Sequence, residues 1–342
     1  MLTLTVILVI FIIFIALIFD FTNGFHDSAN AISTVVSTKV LSPKQAVAFA
    51  AFFNFVAAFT FGVAVASTIS KIVKLDYVPF GSIPFIHLAA LIGAISWNIT
   101  TWYLGLPTSS SHSIIGGLVG AGIASSGLLA IQLSTIVFVV IFMILSPMIG
   151  LLCGFLFMVI VLRIAKDTHR SMVDVHFRRL QLFSAGAYSF SHGSNDAQKT
   201  MGIITPLLFS IGYYGVGVDP NYLPVPIWVI LCAHTAIALG TLSGGWRIVK
   251  TMGYKITRLR PVDGFSAETA SAATIISASA VGIPVSTTHI ITSSIMGVGV
   301  TRGTSAVKWG MARSIIWAWI LTIPVSALIG FVSFSVIRVF IG

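Results

Sequence analysis

Two carboxylates set in otherwise apolar sequence are the residues best placed to do chemistry. Asp27 lies in Phe21-Thr22-Asn23-Gly24-Phe25-His26-Asp27-Ser28-Ala29-Asn30, and Asp196 in Phe190-Ser191-His192-Gly193-Ser194-Asn195-Asp196-Ala197-Gln198-Lys199, 169 residues later. A carboxylate surrounded by hydrocarbon must be neutralised, hydrated or bound to an ion, so duplicated acids of this kind point to an ion or substrate pathway. The bland alternative is a pair of helix caps in the headgroup region. Asn30 and Lys199 stand three residues beyond the acids, on the same face if the backbone is helical. Asparagine offers an oxygen and amide donors, whereas lysine offers only donors and a positive charge. Lys199 therefore either pairs with Asp196 or attracts an anion. For His26 and His192 a proton-carrying role stands beside a satisfied interior hydrogen bond.

A second pair of motifs carries hydroxyls. Gly105-Leu106-Pro107-Thr108-Ser109-Ser110-Ser111-His112 returns as Gly282-Ile283-Pro284-Val285-Ser286-Thr287-Thr288-His289, at an offset of 177. Proline suits the first position of a helix, and Ser or Thr caps its free N–H groups. If both helices begin inside a membrane, Ser109, Ser110, Ser111, Ser286, Thr287 and Thr288 form a nest for a tetrahedral oxyanion. Otherwise the hydroxyls satisfy the backbone of broken helices, and His112 and His289 are packing residues. No orienting acid or nucleophile elbow accompanies the serines and histidines, so an enzyme is not expected. Glu268, the one glutamate, follows Asp263-Gly264-Phe265. With a helix starting at Gly264 it lies one turn inside, where it could take a proton, help hold a cation or complement the helix dipole. Asn54 and Asn98 either line a path or join helices by hydrogen bonds.

The elements that must carry these residues are transmembrane helices. Of 342 residues 56% are hydrophobic and 8% charged, against about 25% charged in soluble domains. Residues 1–19 are free of charge and lack the basic start and cleavage site of a signal peptide, which predicts a retained helix. Apolar runs follow at 45–66, 84–104, 112–129, 131–161, 180–190 with its continuation, 225–246, 264–281, 284–300 and 314–337. They predict roughly ten passes, some broken by Gly and Pro. With the N-terminus outside, 15 of the Lys and Arg residues fall in the inner loops 39–44, 163–179, 247–260 and 302–313, as the positive-inside rule prefers. The net charge of +10 is thus a topology signal, with no clustered domain for nucleic acid. The seven tryptophans read mainly as interfacial anchors. Cys153 and Cys232 lie alone and suggest neither a metal site nor a disulfide. About five passes per half invert the second copy, giving an all-α polytopic protein of two inverted-topology repeats with broken or re-entrant helices meeting near the membrane midplane. The expected boundaries are 1–162 for the first repeat, 163–179 for a basic cytoplasmic connector and 180–342 for the second repeat.

At these residues the chain resembles the inorganic phosphate transporter (PiT) family in its short bacterial form. Gly24-Phe25-His26-Asp27-Ser28-Ala29-Asn30-Ala31 and His192-Gly193-Ser194-Asn195-Asp196-Ala197-Gln198-Lys199 are similar to its two signatures, and the Pro-hydroxyl-His motifs and Gly264-Phe265 with Glu268 match further positions. The resemblance implies symport of inorganic phosphate by alternating access. It makes Asp27, Asp196 and Glu268 important for transport and sets the six hydroxyl residues near the phosphate. With the chemistry of the residues beside the acids, the substrate site expected is Asp27, Asn30, Asp196, Lys199 and those six hydroxyl residues, and Asp27, Asp196 and Glu268 are expected to serve the coupling ion. Sodium-coupled members resemble Asp-x-x-Asn in both signatures, whereas Lys199 stands in the second here, and eukaryotic members carry an acid where this chain has Asn54. The ion expected is therefore a proton, with sodium coupling, a sulfate permease and a passive anion channel as alternatives. The expected setting is multi-pass in the inner (cytoplasmic) membrane, with inorganic phosphate, the coupling proton or sodium, lipids and a second copy in a homodimer as partners. No cofactor and no metal are expected.

In a variant free of native cysteines, Arg170→Cys should react with impermeant reagents only from the inside and Pro220→Cys only from the outside. Labelling of both from one face would overturn the two-repeat topology.

Overall fold

The computed structural model describes residues 2–59, 62–215 and 217–341. The expected pass at 45–66 therefore includes two residues, 60 and 61, that lie outside those described. Twelve α-helices are present among the described residues: α1 (Leu2–Ser37), α2 (Pro43–Val56), α3 (Ala64–Ser70), α4 (Ile83–Leu104), α5 (Ser110–Ser126), α6 (Leu133–Ile164), α7 (Arg170–Phe209), α8 (Ile227–Ser243), α9 (Trp246–Lys250), α10 (Pro261–Ala280), α11 (Thr287–Val300) and α12 (Trp309–Ile341). One π-helical turn, Thr251–Lys255, continues α9. The protein is an all-α polytopic membrane protein built as two inverted repeats.

The repeat is visible element by element. In order, α1 to α6 correspond to α7 to α12, and the long last helices even carry prolines at matching places, Pro147 in α6 and Pro324 in α12. The second element is broken in both copies: α2 and α3 meet at 85°, α8 and α9 at 60°. The segment 163–179 is mostly helical, because α7 already starts at Arg170, with Arg178 bonded to Asp174 at 2.9 Å and to the Lys39 carbonyl at 3.0 Å.

Four helices, α1, α6, α12 and the span Phe80–Leu104, are long and apolar enough to cross a membrane alone, or six spans if each bent pair counts as one. The difference from the expected ten has a physical cause. Helices α5 and α11 have only 17 and 14 residues, α10 is rich in Ala and Ser, and α7 is interrupted by its own polar motif. Outer faces of α1 and α6, including Ile7, Phe11, Phe14, Ile141, Ile144 and Leu152, are exposed and apolar, as lipid contact requires.

The halves interlock rather than merely touch. Helix α5 packs against α12 of the other half and α11 against α6. Small residues allow the approach: a Cβ on Gly120 would overlap the Ala327 carbonyl, and one on Gly297 the Leu151 carbonyl. The same device joins α1 to α8, where Gly24 abuts Ile237 and Gly240 abuts Phe21. Chain reversals ahead of α5 and α11 use Gly105 and Gly282 at φ 68° and 73°, a backbone region that side chains with a Cβ disfavour.

Gly120→Val and Gly297→Val should each lower stability in detergent by about 1–3 kcal/mol, the usual cost of overpacking. Gly81→Ala, where nothing lies within 4 Å of the added Cβ, is the control. Thermal melts with equal midpoints for all three would show that these crossings are not tight.

Candidate functional site

Helix α1 presents Asn23, Asp27 and Asn30 along one stripe, and α7 presents His192, Asp196 and Lys199 likewise, because residues three to four apart share a helix face. All six are buried. Asp196 is fully engaged. Its Oδ1 lies 2.7 Å from Lys199 Nζ in an ion pair and accepts from Asn195 Nδ2 at 3.1 Å. Its Oδ2 receives Asn23 Nδ2 at 3.3 Å and faces His192 Nε2 at 3.6 Å. Of the two roles open to Lys199, an ion pair with Asp196 is thus present.

Asp27 is held by both halves. His26 Nδ1 lies 2.6 Å from its Oδ1, the Thr288 hydroxyl donates to Oδ2 at 3.4 Å, and the Ser110 hydroxyl, sharing its one proton with the nearer Asn23 oxygen, stands 3.3 Å from the same Oδ2. Asn30 donates to Thr288 at 2.8 Å, and Ser110 donates to Asn23 at 2.5 Å. Helices α5 and α11 therefore start at one carboxylate, from opposite halves of the chain. Ligand atoms of Asp27, His192 and Asp196 lie within 4.8 Å of one another, a spacing able to hold a cation.

Ser109 and Ser286 are the N-caps, accepting from the amides of His112 at 3.3 Å and His289 at 3.1 Å. The amides of the first two helical residues, Ser110 and Ser111 in one copy and Thr287 and Thr288 in the other, have no partner within the helix by virtue of helix geometry. Ser111 donates to the Val285 carbonyl at 3.4 Å, and the carbonyl of Thr287 accepts from Tyr188 at 3.4 Å. The prolines depart from expectation. Pro107 and Pro284 lie two residues ahead of the caps, not in the first helical position. There they stiffen the extended approach while serine takes the cap.

Glu268 and Trp319 meet surroundings other than those expected, while Asn54 and Asn98 take the second of the two roles open to them. Glu268 lies two turns inside α10, which begins at Pro261 rather than Gly264. It is held by Gln181 at 3.0 Å and by a short bond from Ser184, both on α7, and is not hydrogen-bonded to the Asp27 and Asp196 cluster. Asn54 and Asn98 serve interhelical bonds, to Thr241 and from Ser113. Trp319 is no interfacial anchor: it is buried, stacks on His289 at 3.9 Å and donates to the Pro107 carbonyl at 2.9 Å. Rings of His112 and His289 meet edge to face at 4.9 Å.

Asn23, inside the first motif, has a role that spacing alone does not single out: it joins the halves by donating to Asp196 and accepts from Ser110 of its own half. Its place one turn before Asp27 was the available signal.

A protein-family model described as the phosphate transporter family matches residues 23–330. A protein of Rhizobium meliloti described as a "probable low-affinity inorganic phosphate transporter" is 51% identical, covering 94% of each chain. One of Bacillus subtilis with the same description is 45% identical, over 97% of this chain and 98% of its own. A solved structure described as "the sodium-dependent phosphate transporter" is similar with a TM-score of 0.87 and 26% identity, over 97% of this chain and 99% of that one.

Asn23→Leu should disable the cluster more severely than Ser110→Ala, since it leaves Asp196 and Ser110 each short of a buried partner. Ser110→Ala should raise the half-saturating phosphate concentration about fivefold, the worth of a neutral hydrogen bond of about 1 kcal/mol. Uptake kinetics at matched membrane abundance decide it, and equal effects would deny Asn23 its bridging role.

Proposed function

The chain belongs to the phosphate transporter family, and from that premise we propose that it imports inorganic phosphate across the inner membrane by proton symport. As a member it is a carrier and not an enzyme. The observation that carries the reading is the convergence on Asp27 of first-turn hydroxyls from α5 and α11. Open amides and hydroxyls at two helix starts suit a tetrahedral oxyanion. A protonated phosphate oxygen would donate to Asp27 or Asp196, which sulfate lacks the proton to do at neutral pH.

Ser109, Ser110 and Ser111 with Ser286, Thr287 and Thr288 would surround the anion, Asn30 would donate to it, and Lys199 would supply positive charge. Rocking of the two halves about this cluster would open it to each face in turn. The Lys199–Asp196 pair supports proton coupling, because a resident ammonium 2.7 Å from the carboxylate occupies the place where a bound cation would neutralise it. Asp27, Asp196 and Glu268 are then the acids available to the coupling ion. A specific observation favours a second reading, sodium symport: the Asp27, His192 and Asp196 ligand atoms are closely grouped, and the similar solved carrier is described as sodium-dependent.

Purified protein in proteoliposomes, given radiolabelled phosphate with pH and sodium gradients imposed separately, separates the readings. Accumulation should rise as the outside is acidified and stay unchanged when choline replaces sodium. A large saturable sodium stimulation at constant pH would overturn proton coupling in favour of sodium. Failure to accumulate above equilibrium under either gradient would indicate a passive path.

A further inference from the structure

Asp20 is a buried carboxylate that the site described above does not use. It lies on α1 two turns before Asp27, is 0% exposed, and neither of its oxygens has a hydrogen bond of ordinary length. Thr200 and Asn23 are the polar side chains beside it, and the hydroxyl of Thr200 likewise has no partner. The charged groups acting on Asp20 are Lys199 and Asp196, both on α7. Lys199 is turned towards Asp196 and makes no ion pair with Asp20.

The repeat shows that this arrangement is a deliberate departure from symmetry. At the 169-residue offset the counterpart of Asp20 is Ser189, and the counterpart of Lys199 is Asn30. One half has gained an acid, the other a base, and the fold brings the two within electrostatic reach across the boundary between halves. A structural salt bridge would place them in contact. They are instead left apart, with the ammonium committed to a different carboxylate.

We infer that Asp20 is a proton-binding site of the transport cycle, protonated while Lys199 is paired with Asp196 and deprotonated when Lys199 turns to it. An ionised carboxylate in a buried position, with no ion pair and only long contacts to Thr200 and Asn23, is strongly disfavoured, whereas the neutral acid is tolerated there. The exchange is balanced: the Asp20 O–H bond breaks, the proton leaves to water on the receiving side, and the charge left behind is met by the ammonium. No other covalent bond changes. Phosphate entering beside Asp196 would compete for Lys199, which links substrate occupancy to the proton.

The other titratable groups leave this assignment to Asp20. His87 of α4 and His234 of α8, the histidines on the helices flanking this part of α1, each tie Nδ1 to a carbonyl of their own helix, at 2.7 and 2.9 Å. Helices α10 and α11 meet α1 nearer its far end, where Asn30 bonds Thr288, so Glu268 and His289 face a different stretch. Helix α9 and its π turn approach through Gly245, bonded to Ser28, with Arg247, Lys250, Tyr254 and Lys255 exposed, and α2 brings only Lys44, also exposed.

The inference rests on the proton reading of the site, and the test separates the two. In proteoliposomes, Asp20→Asn should lower pH-driven phosphate accumulation relative to phosphate–phosphate exchange by roughly tenfold, as expected for an intramembrane acid used in each turnover. Asp20→Glu should restore much of the ratio, which guards against a merely misfolded variant. Infrared difference spectra of the protein in lipid, recorded between acid and alkaline buffer, should lose a protonated-carboxyl band in Asp20→Asn and show it shifted in Asp20→Glu. Wild-type protein without acid-driven accumulation would defeat the proton reading itself. Wild-type accumulation with an Asp20→Asn ratio and carboxyl spectrum like wild type would overturn the inference alone.

Discussion

Charge placed in the apolar interior of the bundle is the constraint on which the other features depend. Asp27 and Asp196 each need several donors, since an unmet buried carboxylate costs more than a single bond returns. No one helix supplies them. Asp27 draws on α5 and α11 as well as its own neighbour His26, and Asp196 draws on Asn23 from the opposite half. Each acid thereby requires the other repeat to be folded around it. The broken helices follow from the same need, because only a helix that starts inside the bundle can bring a capped first turn to a central carboxylate.

Close packing supports that polar centre. Glycines at the crossings let α5 lie on α12 and α11 on α6 with backbone touching backbone. Such tight contacts hold the two helix starts in a fixed relation to one another, so that Ser110 and Thr288 reach the same carboxylate oxygen. The aromatic wall is part of the support. Trp319, from the last helix, reaches across to the Pro107 carbonyl ahead of α5 and stacks on His289 of α11, tying both breaks to a single side chain.

Much of this was legible in the sequence because the chain states it twice. Duplicated motifs in the same order revealed the repeat, the broken helices and the shared acids, and hydroxyls ahead of an apolar run located both caps. What the sequence hid has physical reasons. Asp20 closes an uncharged stretch and has no duplicate, so periodicity gave it no weight. Asn23 looked like part of a motif, and only the fold shows it reaching Asp196. Glu268 shares the interior with the other acids, yet Gln181 and Ser184 hold it to a different part of α7, a separation that linear spacing does not encode. Proline's general preference for the first helical position points to the helix starts, whereas serine claims the cap and leaves Pro107 and Pro284 upstream.

The exchange of helix partners between the halves also has a consequence for how the protein is made. Helix α5 emerges early in synthesis, but its wall, α12, lies at the end of the chain, nearly two hundred residues later. Contacts this distant in sequence form slowly, and domains made first usually fold first. Here the first half cannot complete itself. Its short, Gly-rich helix must wait beside lipid or another helix until the last segment is inserted. The translocation machinery, or a chaperone at the membrane, therefore has an unfinished protein to shelter until translation ends. A chain cut short anywhere before α12 would present both an uncovered glycine face and an incompletely supported polar centre, a ready mark for quality-control proteolysis.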